Sequence, residues 1–116
     1  MARVQLGPEG IASVKLDASG NGTVKVGPIG HRETWFPETA SASASSAVLE
    51  AACRIYVGPS PTASYFRDGT LSGSTGDSTD RVSGTTVSLP WSVWAVWSGG
   101  DVGAIATLNV SGTKTV

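Results

Sequence analysis

The chain has one cysteine and one histidine in 116 residues, and charged side chains make up only 15% of it. A lone Cys53 cannot close an internal disulfide. Zinc wants several cysteine or histidine ligands, so its donors are missing too. Eight Lys and Arg against nine Asp and Glu leave a formal net charge of −1. There is no broad basic surface to follow phosphates and no acidic tail, so nucleic-acid binding is not expected. No apolar run approaches the roughly 20 residues of a membrane helix. The N-terminus also lacks the basic segment, apolar core and cleavage site of a secretory signal. The expectation is a soluble protein, made and folded in a cytoplasm.

Helix formers are scarce as well. Gly is 15 of 116 and Pro is 6, and Val, Thr, Ser and Ala dominate the rest, which favours strands and turns. Ser13 to Asp17 and Thr23 to Val26 alternate on either side of the Gly/Asn turn Ala18 to Gly22, and read as a hairpin. Val14 and Leu16 share one face, Val24 and Val26 share one face, and Lys15 and Lys25 point the other way. Arg54 to Val57, closed by Gly58-Pro59, and Gly84 to Leu89 before Pro90 read as strands. Ser92 to Ser98 and Ala104 to Val110, separated by Gly99-Gly100-Asp101, read as a closing hairpin. His31 to Phe36 forms a further strand ended by Pro37. Thr39 to Ser46 alternates Ala and Ser as a flat, modestly buried strand would, the alternative being a short helix continuing into Val48 to Ala52. Pro59 to Asp80 reads as one short strand and long loops.

These segments give an all-β fold: a compact antiparallel β-sandwich, jelly-roll or immunoglobulin-like, of about 7–9 short strands. Length suits one domain over residues 1–116 with a core that needs no staple. The pattern V-x-(L/V)-G-P-x-G occurs at Val4 to Gly10 and again at Val24 to Gly30. Two copies do not make a solenoid. They are a recurrent way of ending a strand, or else residues 1–10 are an extended arm or edge strand able to pair with a neighbouring subunit.

Catalysis needs groups that exchange protons or attack at neutral pH. His31 beside Arg32 and Glu33 reads as a surface strand residue, and no serine sits in a G-x-S-x-G elbow. Cys53 opens a β-rich run, where a thiol behaves as a small apolar filler. Asp68, Asp77 and Asp80 could offer oxygens to calcium, but their spacing fits no EF-hand loop and Asp in such loops serves turns. The glycine-rich stretches 69–76 and 99–100 precede no helix, so they are not phosphate cradles. No catalytic residue, cofactor or metal is expected, and the chain is not read as an enzyme.

Four tryptophans are the one excess. On a strand Trp91 and Trp97 project from one face and Trp94 from the other. One face then supplies core and the other packs on a loop or a neighbouring subunit; with Trp35 they are also the candidate positions for a subunit interface or for a platform that stacks sugar rings.

The chain also carries a set of motifs: D-A-S-G-N-G-T-V-K-V-G-P at Asp17 to Pro28, T-W-F-P at Thr34 to Pro37, C-R-I-Y-V-G-P at Cys53 to Pro59, F-R-D-G-T-L-S-G-S-T-G-D-S-T-D at Phe66 to Asp80, and W-A-V-W-S-G-G-D-V-G-A-I-A-T-L-N-V-S-G-T at Trp94 to Thr113. In these it resembles small virion accessory proteins, head decoration or minor tail, of tailed phages that infect actinobacteria. The resemblance spans nearly the whole chain and brings no catalytic or ligand residues. It implies a virion location, on the head surface in preference to the tail, after synthesis in the host cytoplasm. Its implied partners are the major capsid protein or other virion proteins and further copies of the chain, without nucleic acid or membrane. The alternative it leaves is a minor tail or adsorption protein that binds a host surface glycan through exposed tryptophans.

Overall fold

A computed structural model describes residues 2–45, 48–72 and 76–115, with Leu71 and Ser72 described by their backbone. Among them are nine strands: β1 (Arg3–Gln5), β2 (Ile11–Lys15), β3 (Gly22–Val26), β4 (Trp35–Ala44), β5 (Ala51–Gly58), β6 (Phe66–Ser72), β7 (Asp77–Thr79), β8 (Ser92–Ser98) and β9 (Ile105–Thr115). Short 3-10 turns stand at Pro8–Gly10 and Ala63–Tyr65. In the first sheet β9 has β1 and β2 in succession along one side and β4 along the other, and β4 carries β7. The second sheet runs β3-β8-β5-β6. Every pairing is antiparallel.

The pairings are nested. β2 lies with β9, β3 with β8, β4 with β7, and β5 with β6. Such a set is one long antiparallel ribbon rolled up on itself until β4 meets β9 and β5 meets β8. That is the jelly roll, and it decides against an immunoglobulin-like order.

The two inner faces meet in a single apolar cluster built by strict alternation. On β4, Ala40, Ala42 and Ala44 point in and Ser41 and Ser43 point out. On β5 the inward side is Ala51, Cys53, Ile55 and Val57, and on β8 it is Val93, Ala95 and Trp97. Trp35 and Trp97 are the largest fully buried side chains. They sit among small alanines, the large-with-small mixture by which packed faces interdigitate.

Several expectations change. Ser13 to Asp17 and Thr23 to Val26 present the expected faces but are not a hairpin, because β2 and β3 belong to different sheets and face each other across the core. Ser92 to Ser98 and Ala104 to Val110 are likewise strands of opposite sheets and not a closing hairpin. Gly84 to Leu89 is not a strand; only Val87 bridges, exchanging two backbone hydrogen bonds with Trp35. His31 and Arg32 lie in a turn, and β4 starts at Trp35 and runs through Pro37 where the pairing with β9 slips by a residue. A bulge is where a strand interior tolerates proline. Leu49 and Glu50 are not helical and Ala51 opens β5, while Ser46 and Ala47 lie outside the described residues. Between Pro59 and Asp80 there are two strands, β6 and β7, where one was expected. Residues 73–75 of the glycine-rich stretch lie outside the described residues. Residues 3–5 form an edge strand on their own β9, with Arg3 opposite Thr115 and Gln5 opposite Thr113.

One end of the sandwich is stitched by backbone. The β2–β3 and β8–β9 connections cross between sheets and touch where Gly100 N–H donates to Gly20 O at 3.0 Å. Gly20 has φ +76°, and a Cβ there would fall 2.1 Å from Gly100 O. Only glycine fits such an approach. Asp17 caps its own turn by accepting from Ser19 and Asn21 N–H at 2.9 and 3.0 Å. Asp101 accepts from Val48 and Leu49 N–H, both at 3.0 Å, tying in the β4–β5 connection. Ser45 and Ile105 close the set, with Ser45 N–H donating to Ile105 O and Ile105 N–H donating to Ser45 Oγ.

Candidate binding surfaces

The structure separates the four tryptophans. Trp35 and Trp97 are core residues, 1% and 0% exposed, so neither belongs to a surface platform. Their burial follows from strand parity: Trp97 falls on the inward side of β8 with Val93 and Ala95. Trp35 Nε1–H donates to Glu33, which satisfies the polar edge of a buried indole. Trp91, just before β8, is half-buried and meets Tyr65 edge-on at 5.4 Å between centroids. Trp94 alone is on the outer face of β8, half-buried, its Nε1–H donating to Gly58 O at 3.0 Å. The four do not form one platform.

A different surface does form around Trp94. Lys25, Trp94, Tyr56 and Phe66 are successive cross-strand partners on β3, β8, β5 and β6, and make one row across the outer face of the second sheet. Lys25 Nζ stands 5.1 Å from the Trp94 ring centre. Tyr56 and Phe66 meet edge to face at 5.8 Å and 73°. In the next row Arg54 lies between Val96 and Gly69. Arg54, Tyr56, Ala63 and Phe66 line an open groove of about 350 Å³. Arg54 is exposed and forms no ion pair among the described residues. Tyr56 is itself buried, so the exposed Phe66 ring is what stands beside the Arg54 guanidinium, together a stacking surface and a fork of donors for an oxygen-rich or carboxylate-bearing group.

Arg54, Tyr56 and Phe66 were missed in the sequence. The signal was there for two of them, since alternation in C-R-I-Y-V-G-P sends Arg54 and Tyr56 opposite to Cys53, Ile55 and Val57. The outer face of the first sheet is unlike this one. It carries Ser13, Ser41, Ser43, Thr107, Asn109 and Ser111, with the Ser13 and Thr107 hydroxyls bonded at 2.9 Å.

The reactive residue types sit apart from this groove. His31 is exposed in a turn, and its side chain has no hydrogen-bond or ion-pair partner among the described residues. Cys53 is buried on the inward face of β5, and burial pushes its thiol up to about 12 despite a backbone hydrogen bond from Val96. It is protonated at neutral pH, the unreactive form. Asp77 accepts from the Thr70 hydroxyl and from Ser78 N–H, which hold its carboxyl below the ordinary value. Asp68 accepts from Gly69 N–H at 2.9 Å. Among the described residues no three His, Cys, Asp or Glu side chains gather as a metal site would need.

No protein-family model matches the chain, and no curated protein is found to be similar to it.

Proposed function

We propose that this chain is a structural component of a tailed-phage virion, an accessory protein that binds the head lattice in many copies and stabilises it. The observation that carries the reading is the nested strand order. A rolled ribbon of eight strands is an architecture that viral capsid and lectin domains use. Fold analogy alone does not assign a role; here it coincides with the motif likeness to small phage virion proteins, which is independent of strand order. Accessory proteins gain from multiplicity: a rigid domain repeated over a closed surface adds small contacts many times and stabilises only the assembled state. The partners are then the major capsid protein or other virion proteins, and neighbouring copies of the chain.

Particles from a deletion strain test this. Heads that soften on heating or dilution and recover on adding the protein back support it. Unchanged heads, with the protein found only in tails, contradict it.

A second reading is favoured by Trp94 and Phe66, flanking the buried Tyr56, with Lys25 and Arg54 beside them: a minor tail or adsorption protein that binds an acidic host glycan on the outer face of the second sheet. It expects glycan-array binding that Phe66→Ala and Arg54→Ala abolish. An assembled protein that binds no glycan counts against it.

A further inference from the structure

Four large aliphatic side chains are exposed on the stitched end of the sandwich. Val48 is 86% exposed, Leu49 53%, Val102 69% and Ile105 48%. They come from two connections and the first residue of β9, and the Asp101 carboxylate joins the first connection to the second by its bonds to Val48 and Leu49 N–H. Single exposed apolar residues need no explanation, but a group of them at one place marks an interaction site. The backbone beneath Val102 and Ile105 is fixed by Gly100 to Gly20, by Gly103 N–H to Leu16 O at 3.0 Å and by Leu16 N–H to Ala104 O at 2.8 Å, and Val48 and Leu49 are held to it through Asp101. A preformed apolar surface is ready to dock without the ordering cost that a loose loop carries.

The charges around this end select the partner. Asp17 and Glu50 are exposed beside it and Asp101 is partly exposed within it; Lys15, alongside Gly103, is the cation that the described residues bring there. Two copies meeting by this end would bring three carboxylates from each together with only Lys15 from each to oppose them, an excess of like charge. A membrane is also disfavoured, since among the described residues the patch has no Trp or Tyr anchor and its carboxylates, which outnumber Lys15, are repelled by anionic lipid. A basic protein surface suits it.

We infer that Val48, Leu49, Val102 and Ile105 form the end by which this domain docks into an apolar depression rimmed by Lys or Arg on another virion protein. The inference rests on the virion reading above. It makes the stitched end the attachment surface.

The test uses particles from a deletion strain, with purified protein added back and the bound fraction measured by co-sedimentation. A Val48→Ser, Leu49→Ser, Val102→Ser triple variant, shown to fold by its thermal midpoint, is expected to lose about tenfold or more in affinity. Glu50→Lys and raised salt are expected to weaken binding too, because they remove attraction to a basic rim. Asn109→Ser, exposed on the outer face of the first sheet, is expected to bind like the unsubstituted chain. If the triple variant binds undiminished, or Glu50→Lys binds more tightly, the inference falls and the virion reading stands. If the unsubstituted chain does not bind particles at all, the virion reading falls and the inference with it. Vesicle binding or self-association that the triple substitution removes would also overturn it.

Discussion

Cys53 shows how one position combines packing and chemistry. Its thiol faces the core from β5 and burial raises it to about 12. It should resist alkylation in the native state at neutral pH and react when urea unfolds the chain; rapid native labelling would contradict its placement. Cys53→Ser puts a hydroxyl where the surroundings are apolar and should cost about 1–3 kcal/mol in urea unfolding. Trp97→Ala removes a fully buried indole and should cost about 3–5 kcal/mol. Asp17 acts through pH instead. Backbone N–H donors of Asn21 and Ser19 hold its carboxyl below the ordinary value, so the unfolded chain takes up the proton first. Its contribution is complete above the unfolded value and is lost as pH falls toward the folded one. Acid unfolding should therefore be shallower in Asp17→Ala than in the unsubstituted chain, and an unchanged slope would exclude the cap.

At the scale of elements, the connections between sheets are the sensitive points. Gly20 and Gly84 share φ +76°, but a Cβ on Gly84 meets open space where one on Gly20 meets the Gly100 backbone. Gly84→Ala should cost about 1–2 kcal/mol for its left-handed backbone alone. Gly20→Ala should cost clearly more, and equal losses would mean that the two connections do not touch. The same region shows what the sequence made legible. Alternation identified the faces of Val14, Leu16, Val24 and Val26, because parity follows from pleat geometry whichever strand lies alongside. It did not identify partners. Strands side by side in one sheet and strands facing each other across a core have the same inward pattern, and the turn Ala18 to Gly22 serves either. The Ser92 to Ser98 and Ala104 to Val110 pair was misassigned for that reason. Pro37 suggested an end because proline cannot donate to a ladder, and a bulge against β9 removes that need. Among candidate site residues, parity separated Trp94 from Trp97, but Phe66 came into view only with β6, whose polar sequence conceals a strand.

The whole molecule is a ribbon rolled so that its first and last long strands are neighbours. Its pairings join distant segments, such as Arg3 with Thr115, and nested distant pairings are slow to find. Refolding is expected in about milliseconds to seconds and slower than helical domains of this size, which stopped-flow tryptophan fluorescence measures through buried Trp35 and Trp97. The rolled fold leaves three different surfaces: a hydroxyl-rich face, an aromatic and cationic face, and an apolar end with an acidic rim. In the proposed lattice-bound role, such differences fix which side meets the particle and which meets solvent.

Membership of the phage head in many copies, the proposed role, is read from the ratio of this protein to the major capsid protein in purified particles. A ratio near that of the repeating head units, retained by tailless heads, is the expected result; absence from particles, or a few copies that follow the tail, would contradict it.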